Sequence, residues 1–307
     1  MHAPGFKLGH LVFAVRKPAA WMRFCETMLG LPPPVVNSDG SQGWQVDDHA
    51  RQRLIVTEGR ADDLAALGLE CESDDALERV LARLDRAGIE AKRANDVLRH
   101  GRRVQRLHLA VDPAGNSVEL YVGPDAAAEA FASPAFPGGF ATGPGLGHAV
   151  LVSRDLAAME RFYVDVVGFR VTERLATTIG PIALNGTFLH CNRRHHSLAL
   201  FDLPLRKRLH HFMLQANRMA DVGAAFERAQ REVPLSLDIG QHPDPDGTFS
   251  FYGATPSGFD FEIGAGSKEI VPEQWRARTM DGKSTWGHKP SLRLKMKMAV
   301  ELLASRL

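Results

Sequence analysis

Three residues far apart in the chain, His148, His211 and Glu262, are of the types that hold a transition metal on two imidazoles and one carboxylate. They are separated by 63 and 51 residues, so no short motif links them. Each nonetheless falls in a stretch whose apolar residues alternate: LGHAVLV, LHHFMLQ and GFDFEIG. Alternation puts His148, Val150 and Val152 on one strand face. In the second stretch His211, Met213 and Gln215 share a face, with His210 pointing the other way. In the third, Asp260 and Glu262 lie opposite Phe259, Phe261 and Ile263. Three strands can thereby each aim one ligand into a common interior. Two histidines and a carboxylate with the remaining positions open form the facial triad of non-haem Fe(II) oxygenases, and Mn(II) fits the same ligands.

The elements that must position these residues occur twice. Residues 8–30 read LGHLVFAVRKPAAWMRFCETMLG and residues 146–168 read LGHAVLVSRDLAAMERFYVDVVG. Each copy starts a strand at a histidine and reaches a glycine 20 residues later, His10 to Gly30 and His148 to Gly168. The copies also close alike, DPAGNSVE ending at Glu119 and TPSGFDFE ending at Glu262. A whole domain has been duplicated. The first copy keeps His10 and Glu119, but its counterpart of LHHFML reads DLAALGLE, with no histidine from residue 62 to 70. Two ligands hold iron poorly, so the first copy reads as scaffold.

Periodicity predicts a strand at 8–15, a helix at 18–29 and strands near 42–47 and 51–57 in the first half. A second unit follows: the strand LGLECES, the helix DDALERVLARLDRAG, and strands near 105–110 and 117–122. In the second half, strands are predicted at 147–153, 170–175, 186–190, 195–201, 209–215, 248–253 and 259–264, with helices at 155–167 and 219–230. The fold class is therefore α+β, with two tandem domains. Each domain comprises two βαβββ modules in a partly closed mixed sheet or barrel around a cavity. Domain one spans 1–130, metal-free and structural; domain two spans 140–290, catalytic and metal-binding; 291–307 is a tail. The Ala-, Gly- and Pro-rich stretch 123–145 is a linker, and LRLKMKMAVELLASRL is a short basic-edged helix that packs on a domain or neighbour.

Composition excludes other classes. With 37 basic and 36 acidic residues, nothing points to a nucleic-acid partner, and no apolar run approaches a membrane span or signal sequence. Cys25, Cys71 and Cys191 are odd in number and far apart, as expected of a reducing cytoplasm. Histidine is the outlier: seven of 13 lie between residues 148 and 242.

The stretch FLHCNRRHHSLALFDLPLRKRLHHFMLQANRMADVGAAFERA (188–229) resembles the core of type I extradiol ring-cleaving dioxygenases. These belong to the vicinal oxygen chelate superfamily, and the likeness is greatest to the 2,3-dihydroxybiphenyl 1,2-dioxygenase branch. It covers nearly the whole chain. What the resemblance implies is meta cleavage of a catechol, with both atoms of O2 inserted, in aromatic degradation. The expected substrate is a 3-substituted or bicyclic catechol, the cofactor Fe(II), and the assembly a homo-oligomer. The resemblance maps the ligands onto His148, His211 and Glu262, and an acid–base histidine onto His196. It maps oxygen- and hydroxyl-contacting groups onto His242 and Tyr252. QHPDPDG is one residue longer than the family pattern, so Asp244 and Asp246 compete for an aspartate role, and spacing to Tyr252 favours Asp246. His196 is expected on a strand face with Leu198 and Leu200, and Val150 and Phe188 as substrate-pocket walls. Arg193 and Arg194 are expected at the surface. The alternatives within this fold are a non-oxidative metal enzyme and a metal-free binding protein.

Overall fold

The computed structural model describes residues 4–179, 182–203, 205–280 and 282–305. The first half runs β1 (Phe6–Val15), α1 (Pro18–Arg23), β2 (Val35–Val36), β3 (Gln42–Trp44), β4 (Leu54–Glu58), then β5 (Asp63–Cys71), α2 (Asp74–Arg86), β6 (Lys92–Arg93), α3 (Asp96–Arg102), β7 (Val104–Val111) and β8 (Ser117–Pro124). The second half repeats the order: β9 (His148–Val152), α4 (Leu156–Glu160), β10 (Arg170–Ile179), β11 (Ile182–His190), β12 (Leu198–Asp202), then β13 (Leu209–Gln215), α5 (Met219–Glu232), β14 (Leu235–Gln241), β15 (Phe249–Ala254) and β16 (Asp260–Ala265). It continues into β17 (Arg278–Met280), β18 (Trp286–Gly287) and α6 (Leu292–Ser305).

Two mixed sheets result, ordered β2-β3-β4-β1-β5-β8-β7-β6 and β17-β10-β11-β12-β9-β13-β16-β15-β14-β18. Each is open, without the closure of a barrel. In each, two βαβββ modules join through their first strands, which pair antiparallel: β1 with β5 and β9 with β13. Those central strands carry the repeated histidines, so the module junction is where the ligands converge.

The repeated glycine has a physical cause. After α1 and α4 the chain continues as a wider π-helical turn, Phe24–Met28 and Arg161–Val167, which buries Phe24, Cys25 and Met28 in one copy and Phe162, Tyr163 and Val167 in the other. Gly30 (φ +60°) and Gly168 (φ +106°) then leave in the left-handed region, where a side chain is strained. A Cβ on Gly30 would also fall 2.3 Å from that of Ala135.

A single apolar core runs between the halves. Phe13 of β1 meets Phe212 at 5.4 Å and Phe259 at 5.3 Å between ring centroids, and Trp21 meets Phe259 at 5.7 Å. Buried polar contacts fix the docking: the Trp21 indole N–H donates to Ser257 Oγ (2.8 Å), and the Tyr163 hydroxyl to Asp112 Oδ2 (2.9 Å). The expected elements correspond to observed ones, with several additions. β2, β6, α3, β14, β17 and β18 are too short or too irregular in pattern to stand out in the sequence. The expected strand at 195–201 begins only at Leu198, which leaves His195 and His196 in the preceding loop. No helix among the described residues is long and apolar enough to cross a membrane.

Candidate active site

His148 opens β9, His211 lies in β13 and Glu262 in β16, three adjacent strands. Met213 pairs in register with both His148 and Glu262, so His211, two residues earlier, sits diagonally to each on one face. The two Nε2 atoms are 3.1 Å apart, and Glu262 Oε2 lies 3.1 Å from His148 Nε2 and 3.4 Å from His211 Nε2. Two nitrogens each about 2.1 Å from one ion and at right angles to it would stand about 3 Å apart. Glu262 is fully buried, and neither of its carboxylate oxygens has a hydrogen-bond partner among the described residues. An anion so placed needs a cation. The donor set fits a divalent transition metal. Burial opposes ionisation of Glu262, yet His148, His211 and His242 outweigh it and hold the carboxyl well below its usual range.

His210 corrects the expectation from alternation. It lines the same cavity as His211, with the two Nδ1 atoms 2.7 Å apart. The cause is a β-bulge: Leu209 pairs with Leu151 but His211 with Val150, so two steps on β13 match one on β9. The bulge is older than the divergence of the halves, because Leu64 pairs with Phe13 and Ala66 with Val12.

His196 corrects another. It is a loop residue rather than a member of the Leu198 and Leu200 face, and its apolar contact comes from β11 instead. Its ring lies 4.1 Å from that of His148 and 5.0 Å, edge to face, from that of Phe188. Burial first, then His148 and His195, push its pKa well below the ordinary imidazole value. His242, at the end of β14, donates from Nδ1 to the Lys283 carbonyl (2.6 Å), while its Nε2 lies 2.9 Å from the Tyr252 hydroxyl and 3.4 Å from Glu262 Oε1. Burial would neutralise His242, but Glu262 and Asp246 raise it to about 9. The Tyr252 phenol is pushed well above its usual value by burial and by Glu262. Asp246 is buried on the cavity and accepts from Thr248 Oγ1 (2.6 Å), whereas Asp244 is exposed and pairs with Lys268 (2.5 Å).

These groups line one end of a cavity of about 160 Å³. The other end is apolar, with Val150, Leu184, Phe188, Phe201 and Met280. Leu294 and Met298 of α6 also reach it, so the C-terminal helix contributes to the site. His195, His210 and His288 are lining residues that sequence reasoning did not place there. Of the arginine pair, Arg193 is exposed beside Glu269 (2.8 Å), as expected. Arg194 is buried instead, donating to Gln215 and to the Ala141 and Gly145 carbonyls.

The first half shows what becomes of the same scaffold with the third ligand missing. Ala66 occupies the register position of His211, paired with Val12 and Ser117 as His211 is with Val150 and Asp260. His10 Nε2 lies 2.6 Å from Glu119 Oε2, and Arg102 Nε donates to both carboxylate oxygens at 3.0 Å. A guanidinium meets the charge of the buried carboxylate there.

Comparison with known proteins agrees with this geometry. Residues 145–263 match the Glyoxalase/Bleomycin resistance protein/Dioxygenase superfamily. The chain is 41% identical over 286 residues to a 3-methylcatechol 2,3-dioxygenase of Pseudomonas putida, covering 92% of this chain and 97% of that protein. The chain belongs to the extradiol dioxygenases. A biphenyl-2,3-diol 1,2-dioxygenase of a Pseudomonas species is 38% identical over 92% of this chain and 97% of its own. Among solved extradiol dioxygenases, a halotolerant catechol dioxygenase superposes with a TM-score of 0.84 at 33% identity, over 94% of this chain and 95% of that one.

Proposed function

We propose that this extradiol dioxygenase opens the ring of a catechol beside its two hydroxyls, and that the catechol carries an apolar 3-substituent or a second ring. The observation that carries the reading is the buried Glu262 carboxylate, without a hydrogen bond among the described residues and faced by His148 and His211 in a largely apolar cavity that also holds His196. His148, His211 and Glu262 would hold Fe(II), which when bound supplies the path for electrons from catechol to O2. A relative in Rhodococcus jostii is named an iron-dependent extradiol dioxygenase, at 34% identity.

The surrounding side chains handle protons and orientation. His196, kept neutral by its surroundings, accepts a proton from a catechol hydroxyl and returns it when the ring opens. Without a metal on Glu262, that carboxylate and Asp246 favour the protonated form of His242. With Nδ1–H given to Lys283 and Nε2–H to the Tyr252 oxygen, the phenol's own hydrogen is left to donate into the cavity. Asp246 rather than Asp244 takes the aspartate role at the polar end. Val150 and Phe188 wall the substituent and exclude water. Residues 140–290, with α6 packed on the cavity, form the catalytic unit and 1–130 the metal-free scaffold; the three cysteines, all free and buried, suit a reducing compartment.

The substrate class is tested by ranking kcat/KM over catechols. An apolar wall gives a methyl or phenyl substituent about 10- to 200-fold over catechol, and it penalises a carboxylate, which would lose its hydration against that wall. A preference for carboxylated catechols would overturn this reading.

A further inference from the structure

Beside His196 lies a second buried chain of polar groups, reached through His195. Glu173 of β10 and His195 each have side chains only 3% exposed, with Glu173 Oε2 3.3 Å from His195 Nε2. Both atoms are sealed from solvent and neither has a hydrogen-bond partner among the described residues, so each is the other's 3.3 Å polar neighbour without a formed hydrogen bond. The other nitrogen of His195, Nδ1, lies 3.0 Å from Nδ1 of His196. Arg278, opposite Glu173 in the strand register, stacks its guanidinium on Trp275 at 4.9 Å. The backbone on both sides is pinned. Thr172 Oγ1 donates to the His195 carbonyl (2.6 Å), and the Trp275 indole donates to the Thr172 carbonyl (3.0 Å).

We propose that Glu173 is a positioning residue: through His195 it fixes which nitrogen of His196 carries the proton. A carboxylate only accepts, so a hydrogen bond closed across this 3.3 Å gap has His195 presenting Nε2–H to Glu173. The Nδ1 of a neutral His195 is then a lone pair, and it accepts from Nδ1–H of His196. That leaves Nε2 of His196 as a lone pair, the form a base requires. The carboxylate also stabilises the pair of imidazoles when His196 takes up a proton, as the aspartate does in a Ser-His-Asp triad. Asp246, whose carboxylate lies within 4.8 Å of a nitrogen of each histidine, faces the same pair from the cavity side.

This inference rests on His196 being the base, but it can be tested apart from turnover. Full-length protein labelled with ¹⁵N-histidine and loaded with zinc, which is diamagnetic, reports the tautomer of each ring by NMR. The wild type is expected to show His196 protonated at Nδ1 and bare at Nε2, and Glu173→Leu to lose that preference. In the iron-loaded enzyme, Glu173→Leu should lower kcat about 10- to 100-fold. Iron content and anaerobic affinity for 2,3-dihydroxybiphenyl should stay within about twofold of wild type. Should Glu173→Leu fail to fold, His195→Gln, which cannot pass on a ring tautomer, carries the same comparison. An unchanged His196 tautomer, or an unchanged kcat, overturns the proposal. If the wild type opens no catechol, the function proposed above fails, while the tautomer comparison still decides the role of Glu173.

Discussion

His196 and Glu262 show how burial decides what a side chain can do. Glu262 is fully enclosed, with the imidazoles of His148, His211 and His242 and the Tyr252 phenol about it, and a bound cation would satisfy its charge. His196 is enclosed by Phe188, His148 and His195, and that enclosure keeps it neutral. The two are separable by experiment. Replacing His196 with Gln should cut kcat by about 10²–10⁴ with iron content unchanged, because the base is lost and the ligands are not. Metal analysis beside steady-state kinetics checks this; loss of iron in parallel with activity would make His196 structural instead.

At the scale of elements, the two halves are one βαβββ pair put to different uses. The end of α3, just before β7, delivers Arg102 to Glu119, where the loop before β15 delivers His242 to Glu262. Burial opposes ionisation of Glu119, but Arg102 and His10 lower its pKa to about 2. The folded value lies below the unfolded one, so this carboxylate contributes stability that is complete above about pH 4.5 and lost as pH falls toward 2. The linkage is worth roughly 3 kcal/mol. Urea titrations across that window should show the loss, and Arg102→Met, by removing the cation, should shrink it; an equal acid sensitivity in the variant would contradict the pairing. Much of this layout is legible in the sequence, because duplication repeats His10 and Glu119 as His148 and Glu262, and alternation marks their strands. The bulge at His210 is not, since a residue added to one strand leaves no trace in that strand's own alternation. The contact of Glu173 with His195 is equally hidden, because it depends on how β10 lies against a loop 22 residues later.

Across the whole molecule, the catalytic half does not own its core. Phe212 and Phe259 are covered by Phe13 and Trp21 from the other half, so the sheet that carries the ligands is held from behind by the scaffold. A linker alone would have allowed two independent units. Phe259→Ala should therefore destabilise the entire chain by about 3–5 kcal/mol, with one unfolding transition seen by both near-UV circular dichroism and iron release. Two separated transitions would mean that the halves fold independently.

The central claim is that His148, His211 and Glu262 hold iron for ring opening. The most direct measurement is iron content after anaerobic purification, followed at once by oxygen uptake with 2,3-dihydroxybiphenyl, in the wild type and in Glu262→Gln. The wild type should carry about one iron per chain and consume one O2 per catechol opened, and the variant should lose both. Full iron and full oxygen uptake in Glu262→Gln, or a wild type that binds iron and consumes no oxygen with any catechol, would contradict it.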